Sequence, residues 1–378
     1  MNDSSPQFSA RLTDEQRLAW LRLIRSENIG PVTFRQLINR YGGAVAALQM
    51  LPDLSARGGM RRAISVCSRT DAEKEIAAAK RAGMTLIALG EQEYPKYLAV
   101  SESAPPLLYT LGDTSLLARP SAAIVGSRNC SALGRKIAAL VARGLGEAGC
   151  TVISGLARGV DAAAHEASLA SGTCAVMAGG ADIIYPPDNT DLYRRIVAEG
   201  CIISEMAPGY QPTGRDFPKR NRIVAGCALG TVIIEAAARS GSLITARMAG
   251  EMGRDVFAVP GSPLDPRAEG TNALIREGAI LTRHADDVLE VIVPLMQRPP
   301  PHVEVPLAER DDGDVADEDV IRDEREQLVQ ALSPSPVDVD ELIRHTGLSP
   351  AVVQMLLLEL ELAGRLERHA GNRVSLLC

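Results

Sequence analysis

From Met84 onward the sequence changes rhythm, and that change constrains the fold more than any other feature. Short apolar runs at 85–89, 122–125, 151–154, 173–177, 201–204, 230–235 and 255–259 alternate with helical patterns at 134–148, 160–170, 190–198, 245–252 and 271–277. Strands that are apolar nearly throughout, without polar alternation, must be buried on both faces, which calls for a parallel sheet sandwiched between helices. The expectation is a doubly wound, Rossmann-like α/β domain over residues 83–294, with any ligand seated beyond the carboxyl ends of its strands.

The flanks follow other patterns. Residues 1–82 read as a small helical domain, with helices at 14–25, 31–40, 44–50 and 71–82 broken at Gly30, Gly42-Gly43 and Gly58-Gly59. Ile29-Gly30-Pro31 before an amphipathic helix fits a helix-hairpin-helix turn, whose backbone amides can meet a phosphate. Ordinary helix packing explains it as well, because the second glycine of such a hairpin is missing. Residues 295–322, rich in proline and acid, read as a linker. Residues 323–378 read as a winged helix-turn-helix domain: helices at 323–332, 338–346 and 349–364, then a two-stranded piece turning at Ala370-Gly371-Asn372. The third helix has no Lys or Arg before Arg365 and is apolar over more than one stripe. A DNA-reading helix would present basic or amide side chains, so this module is expected to contact protein.

Composition removes several classes of function. The net charge of the 378 residues is −7, which argues against a surface coated for indiscriminate nucleic-acid binding; any anion site must be local. Aromatic residues are 3% of the chain, a poor supply for an extended base-stacking platform. The seven cysteines form no C-x-x-C pair and have no histidine at zinc-ligand spacing, so neither metal nor cofactor is expected. No apolar run is long enough to cross a bilayer and the start carries no secretory pattern, so the expected location is the cytoplasm, with no membrane partner.

The loops after the strands carry the chemistry. Gly126-Ser127-Arg128 follows one strand and precedes a helix beginning near Ser131 or Gly134, where free amides and a guanidinium attract anions. Ser154-Gly155-Leu156-Ala157-Arg158-Gly159 repeats the device, with Asp161 expected to cap the next helix or orient Arg158, and His165 expected as a packed helix residue. Asp216 to Arg222 is the densest basic cluster; Lys219, Arg220 and Arg222 can hold phosphates while Phe217 and Asn221 meet a base face or edge. Ser240, Ser242 and Thr245 supply hydroxyls before another helix.

Five ordered motifs, A-I-V-G-S-R-N, S-G-L-A-R-G-V-D-A-A-A-H, F-P-K-R-N-R-I-V-A-G, S-G-S-L-I-T-A and V-F-A-V-P-G, resemble the bacterial DNA-processing protein A family, also called Smf. The resemblance implies an extended Rossmann fold flanked by a sterile-alpha-motif-like helical domain and a winged helix. It also implies a homodimer that binds single-stranded DNA and loads the RecA recombinase during natural transformation, without turnover. The family's DNA pocket falls on Gly126, Ser127, Arg128, Ser154, Gly155, Arg158, Gly159, Lys219, Arg220 and Asn221, with Ser240, Ser242 and Thr245 lining or shaping it.

The rival reading is a Rossmann-like nucleotide phosphoribohydrolase or another nucleotide-binding protein. Against it, the run from Ser240 to Ala246 has no carboxylate three residues past its threonine, and neither G-x-x-x-x-G-K-[ST] nor G-x-G-x-x-G follows a strand. No catalytic residue is expected.

Overall fold

The computed structural model describes residues 11–298, 322–369 and 371–377. They divide into two compact units, one within residues 74–304 and the other joining residues 12–73 to 305–378. The acidic linker expected at 295–322 lies, apart from its ends, outside the described residues, as does Ala370 of the wing turn.

The first unit is built on nine strands: β1 Thr85–Ala88, β2 Leu107–Gly112, β3 Ser121–Gly126, β4 Thr151–Ser154, β5 Thr173–Val176, β6 Cys201–Ser204, β7 Gly230–Ile234, β8 Asp255–Ala258 and β9 Ile280–Leu281. Their order across the sheet is β1-β2-β6-β5-β4-β3-β7-β8-β9. From β6 to β9 every pairing is parallel, whereas β1 and β2 add to the β6 edge antiparallel. The all-parallel expectation is corrected there. Every residue of β4, β5, β6 and β7 is buried, which is why these strands read as unbroken apolar runs.

Helices cover both faces of this sheet. The elements are α1 Asp14–Ile24, α2 Pro31–Tyr41, α3 Ala44–Arg57, α4 Arg69–Arg81, α5 Lys96–Ala99, α6 Ala132–Glu147, α7 Val160–Ser168, α8 Thr190–Glu199, α9 Asp216–Cys227, α10 Gly241–Glu251, α11 Glu269–Arg276 and α12 Ala285–Met296. The first three lie in the second unit, and the division between the units falls within α4. One core joins Ile124, Val152, Val232, Ile234 and Phe257 to apolar faces of α6, α7 and α12. Another joins Tyr109, Ala175 and Ile202 to α8. The chain runs outward from β3 to β6, then returns to lay β7 against the other side of β3. The crevice at the carboxyl ends of β3 and β7 is therefore the topological switch point, where ligands of such sheets sit.

The second unit holds α1, α2 and α3 together with α13 Arg322–Ala331, β10 Val337–Asp338, α14 Val339–Thr346, α15 Pro350–Leu362, β11 Leu366–His369 and β12 Arg373–Leu376. Its small sheet has three strands in the order β10-β12-β11, one more than expected. Among the described residues no helix is long and apolar enough to cross a membrane, and no cluster of three His, Cys, Asp or Glu side chains could hold a metal ion.

Candidate nucleic-acid interface

At the switch point the backbone is arranged by close approach. A Cβ on Gly126 would collide with the Ile234 carbonyl and lie 2.8 Å from Val160, so only glycine lets β3 end against β7 and α7. The next residue is pinned from both sides: the Ser127 amide donates to Ile234 O at 3.3 Å, and its carbonyl accepts from the Val160 amide at 3.2 Å. Gly159 (φ +81°) faces that same Ser127 carbonyl with no room for a side chain. Its glycine is thus demanded by the turn rather than by a ligand. The effect of these contacts is to fix the direction in which Arg128 leaves the sheet.

Arg128 is exposed, and its guanidinium carbon stands 5.3 Å from the centroid of the Phe217 ring. Phe217 in turn lies 5.3 Å from Tyr185, with the rings tilted by 49°. Cation and rings border two adjoining hollows. A smaller one, of about 200 Å³, is lined by Arg128, Gly155, Arg158, Tyr185, Phe217 and Arg220. A larger one, of about 780 Å³, opens between the Gly126–Asn129 turn, the start of α9 and the segment running from Ala237 to Thr245.

Helix α9 begins with Asp216, whose carboxylate accepts from the Thr213 amide and hydroxyl at 2.7 Å. Those bonds hold it below the usual carboxylate range against the effect of its burial. Phe217, Arg220 and Asn221 then face the hollows. Arg220 is only 6% exposed; its guanidinium occupies the space a Cβ on Gly155 would need, and its Nε has no hydrogen-bond partner among the described residues. Burial pulls this group down to about 10, with Asp161 opposing the shift and Arg128 adding to it. It remains protonated at neutral pH. Asn221 reaches across to Gly241 O at 3.4 Å, linking α9 to the first turn of α10. There Ser240 caps the helix and shares a hydroxyl hydrogen bond of 2.7 Å with Ser242, while Thr245 is buried one turn on.

Not every expected residue turns toward the crevice. Ser154 is fully buried and its hydroxyl donates to Ile124 O at 2.6 Å, so it ties β4 to β3 and cannot meet a ligand. Lys219 is exposed on α9 but lines neither hollow. Arg222 is engaged by Glu205 and the Ser103 carbonyl, which removes it from the basic cluster. Asp161 is buried and spans the Gly155 and Ala157 amides at 3.2 and 3.3 Å, its charge facing Arg220 rather than Arg158. His165 is buried against Thr173 at 2.7 Å and pulled down to about 3 by desolvation first and Arg220 second, in keeping with a packed residue.

The helix-terminus amides are also less free than the glycine loops suggest. Glu235, in the left-handed region at φ +51° just past β7, sends its carboxylate to the start of α6. One oxygen accepts from the Ser131 amide at 2.7 Å and the other from the Ser131 hydroxyl. Gly134 leaves the space this carboxylate fills. Two internal carboxylates, Glu235 and Asp161, thus take amide positions that sequence reasoning assigned to phosphate. Guanidinium groups and rings, with the side chains of Ser127, Asn221, Ser240 and Ser242 and the exposed Asp188 carboxylate, line the crevice.

Among the lining residues that sequence reasoning missed are Tyr185, Asp188 and Arg239. Tyr185 follows β5 in an irregular Pro-containing segment with no helix-terminus signature. Arg239 is exposed and lines the larger hollow, with no ion pair among the described residues; it immediately precedes the Ser240-to-Ala246 run, whose hydroxyls are the more conspicuous signal.

Fold and crevice define a Rossmann-type protein with an arginine- and aromatic-bordered groove at its switch point, carrying helical and winged-helix modules. The chain belongs to the family described as DNA recombination-mediator protein A, whose sequence model matches residues 85–293. Residues 14–78 match the DprA-like N-terminal HHH domain, and residues 314–372 the DprA winged helix domain. The first of these matches favours the helix-hairpin-helix reading over a sterile-alpha-motif-like one. The chain is 34% identical to the putative DNA processing protein DprA of Mycobacterium tuberculosis over 360 residues, covering 91% of this chain and 87% of the relative. It is 47% identical to DNA processing protein DprA of Streptococcus pneumoniae over 198 residues, 52% of this chain and 70% of that one. The X-ray structure of DprA from S. pneumoniae superposes with a TM-score of 0.62 at 35% identity, covering 75% of this chain and 99% of that chain. A Helicobacter pylori structure, described as giving insight into the single-stranded DNA binding mode of its DNA processing protein A, superposes at 0.52 and 29% identity, covering 56% and 96%.

Proposed function

We propose that this chain binds single-stranded DNA in the switch-point crevice without chemical turnover. It would act in the cytoplasm as a homodimer that loads the RecA recombinase onto incoming DNA during natural transformation. The observation that carries the binding step is the Arg128–Phe217–Tyr185 array. A cation sits beside two rings at the mouth of a groove, the combination that holds a backbone phosphate and a base face together. The proposed contact set is Gly126, Ser127, Arg128, Gly155, Arg158, Phe217, Arg220, Asn221, Ser240, Ser242 and Thr245, with Tyr185 and Arg239 added and Lys219 reaching a strand that continues along α9. The single-stranded DNA binding mode described for the H. pylori protein supports this reading.

Hydrolysis of a small nucleotide is disfavoured by the carboxylates present. Asp161 and Glu235 are both spent on main-chain amides, which leaves neither aimed at a substrate, and Asp188, a carboxylate lining the smaller hollow, stands exposed to solvent. The deciding experiment titrates a labelled oligonucleotide of about 20–30 nucleotides in single- and double-stranded form across salt, beside a nucleoside monophosphate hydrolysis assay. Preference for the single strand, a steep loss with salt and no hydrolysis are expected. Equal binding of both forms, or turnover, would overturn the proposal.

A further inference from the structure

Helix α15 sits where a winged helix normally presents its DNA-reading surface. Eight of its thirteen residues are buried, and they fall into two stripes. Val353, Leu356, Leu357 and Leu360, spaced i, i+3, i+4, i+7, join the winged helix's own core with Leu328, Leu342 and Val374. Met355, Leu358, Glu359 and Leu362 repeat the spacing on the opposite side, yet are equally buried, at 0–3% exposure. What covers this second stripe is the N-terminal helical module of the same unit.

The seam is closely fitted. Gly58, at the end of α3, has no space for a Cβ because the Glu359 carbonyl occupies it. The Glu359 side chain turns the other way, to Arg325 of α13 at 2.7 Å. Thr33 donates to Glu361 at 2.7 Å, Asn28 to the Leu362 carbonyl at 3.0 Å, and Arg365 to the Gly58 carbonyl at 3.1 Å. Arg368 bridges Glu361 at 2.8 Å and Gln36 at 3.2 Å. Asn28 and Thr33 flank Gly30 in the hairpin between α1 and α2. The hairpin of one module and the reading helix of the other therefore spend their side chains on each other.

We infer that the winged helix is an assembly module whose recognition face is the permanent docking site of the N-terminal helices, and that it does not read duplex DNA. Charge agrees: α15 contains two glutamates and neither lysine nor arginine, so on release the helix itself would offer no cation to phosphates. The extra apolar stripe, unexplained by the winged-helix core, has this cis partner as its cause.

The test uses the full chain. Gly58→Leu forces the Glu359 carbonyl out of the seam, and the milder pair Thr33→Ala with Arg365→Ala removes two of its hydrogen bonds without adding bulk. Hydrogen exchange read by mass spectrometry should show α2, α3 and α15 losing protection together in both proteins, at least tenfold in exchange rate for Gly58→Leu. Binding of a 20-base-pair duplex should stay within about twofold of the parent. Protection lost only at the substituted end, or unchanged in both proteins, means the two modules do not hold each other and sinks the inference. A tenfold gain in duplex affinity sinks it too, because the seam would then be masking a DNA reader.

Discussion

Arg128 is free to act because its neighbours are not. Ser127 is bonded on both sides and Gly126 admits no other residue, so the guanidinium is presented at a fixed angle beside Phe217. Arg128→Ala should weaken single-strand binding about tenfold and lower the slope of log affinity against log salt by about 0.7, one phosphate's share. Titration at several salt concentrations checks both. Tyr185→Ala and Phe217→Ala should each cost roughly 1–3 kcal/mol of single-strand affinity through lost stacking. Their slope against salt should stay at the parent value; a slope that falls with either would show that the rings act only by steadying the cation. Arg128, Arg158 and Phe217 were legible in the sequence because strand-end glycines and a dense basic run announce them. Tyr185 was not, since only tertiary folding brings the segment after β5 beside α9. Ser154 misled for a related reason: a hydroxyl at a strand's end looks available until the neighbouring strand supplies its acceptor.

Among elements, the parallel strands were the most legible. Burial on both faces leaves short runs of Val, Ile, Ala and Cys with Thr or Ser only at or near their ends, and β4 and β6 fall on the expected residues. The sheet's margins were hidden. β2 follows Pro105-Pro106 and pairs antiparallel, and β9 has only two residues, too short for any period to register. Helix α9 is not among the expected helical patterns; Pro218 falls in its first turn, which tolerates it because no intrahelical partner for the N–H is needed there. Helix α6 is capped by Ser131, whose amide and hydroxyl Glu235 holds. Glu235→Ala should destabilise the first unit by about 1 kcal/mol, the usual net value of a lost hydrogen bond, readable as a lower urea midpoint. Acid should act through α7. His165 is neutral when buried, near 3 against an ordinary 6.5, so the unfolded chain binds the extra proton. Its contribution to stability is complete above about pH 6.5 and declines as the pH falls toward 3. Asp161, raised by burial, works in the opposite direction. Comparing urea midpoints of the parent and His165→Gln at pH 7 and pH 5 isolates the histidine: the parent should lose more.

For the molecule as a whole, the two ends of the sequence contribute to one unit while the crevice belongs entirely to the other. A chain ending at residue 298 should keep single-strand affinity within about twofold, yet its N-terminal helices should lose protection from hydrogen exchange. A drop in affinity above tenfold would place part of the binding surface in the tail. The modules were legible one by one, because each has its own hydrophobic period. Their union was not, since nothing in α3 names α15 as its partner except a glycine that leaves room for a carbonyl. Arg220 has a consequence of its own at this scale. Arg220, packed against Gly155 at the floor of the groove and only 6% exposed, is screened less by dissolved ions than the solvent-facing arginines, so more of its field survives in concentrated electrolyte. The groove should therefore keep a faint pull on polyanions in brine that silences its rim.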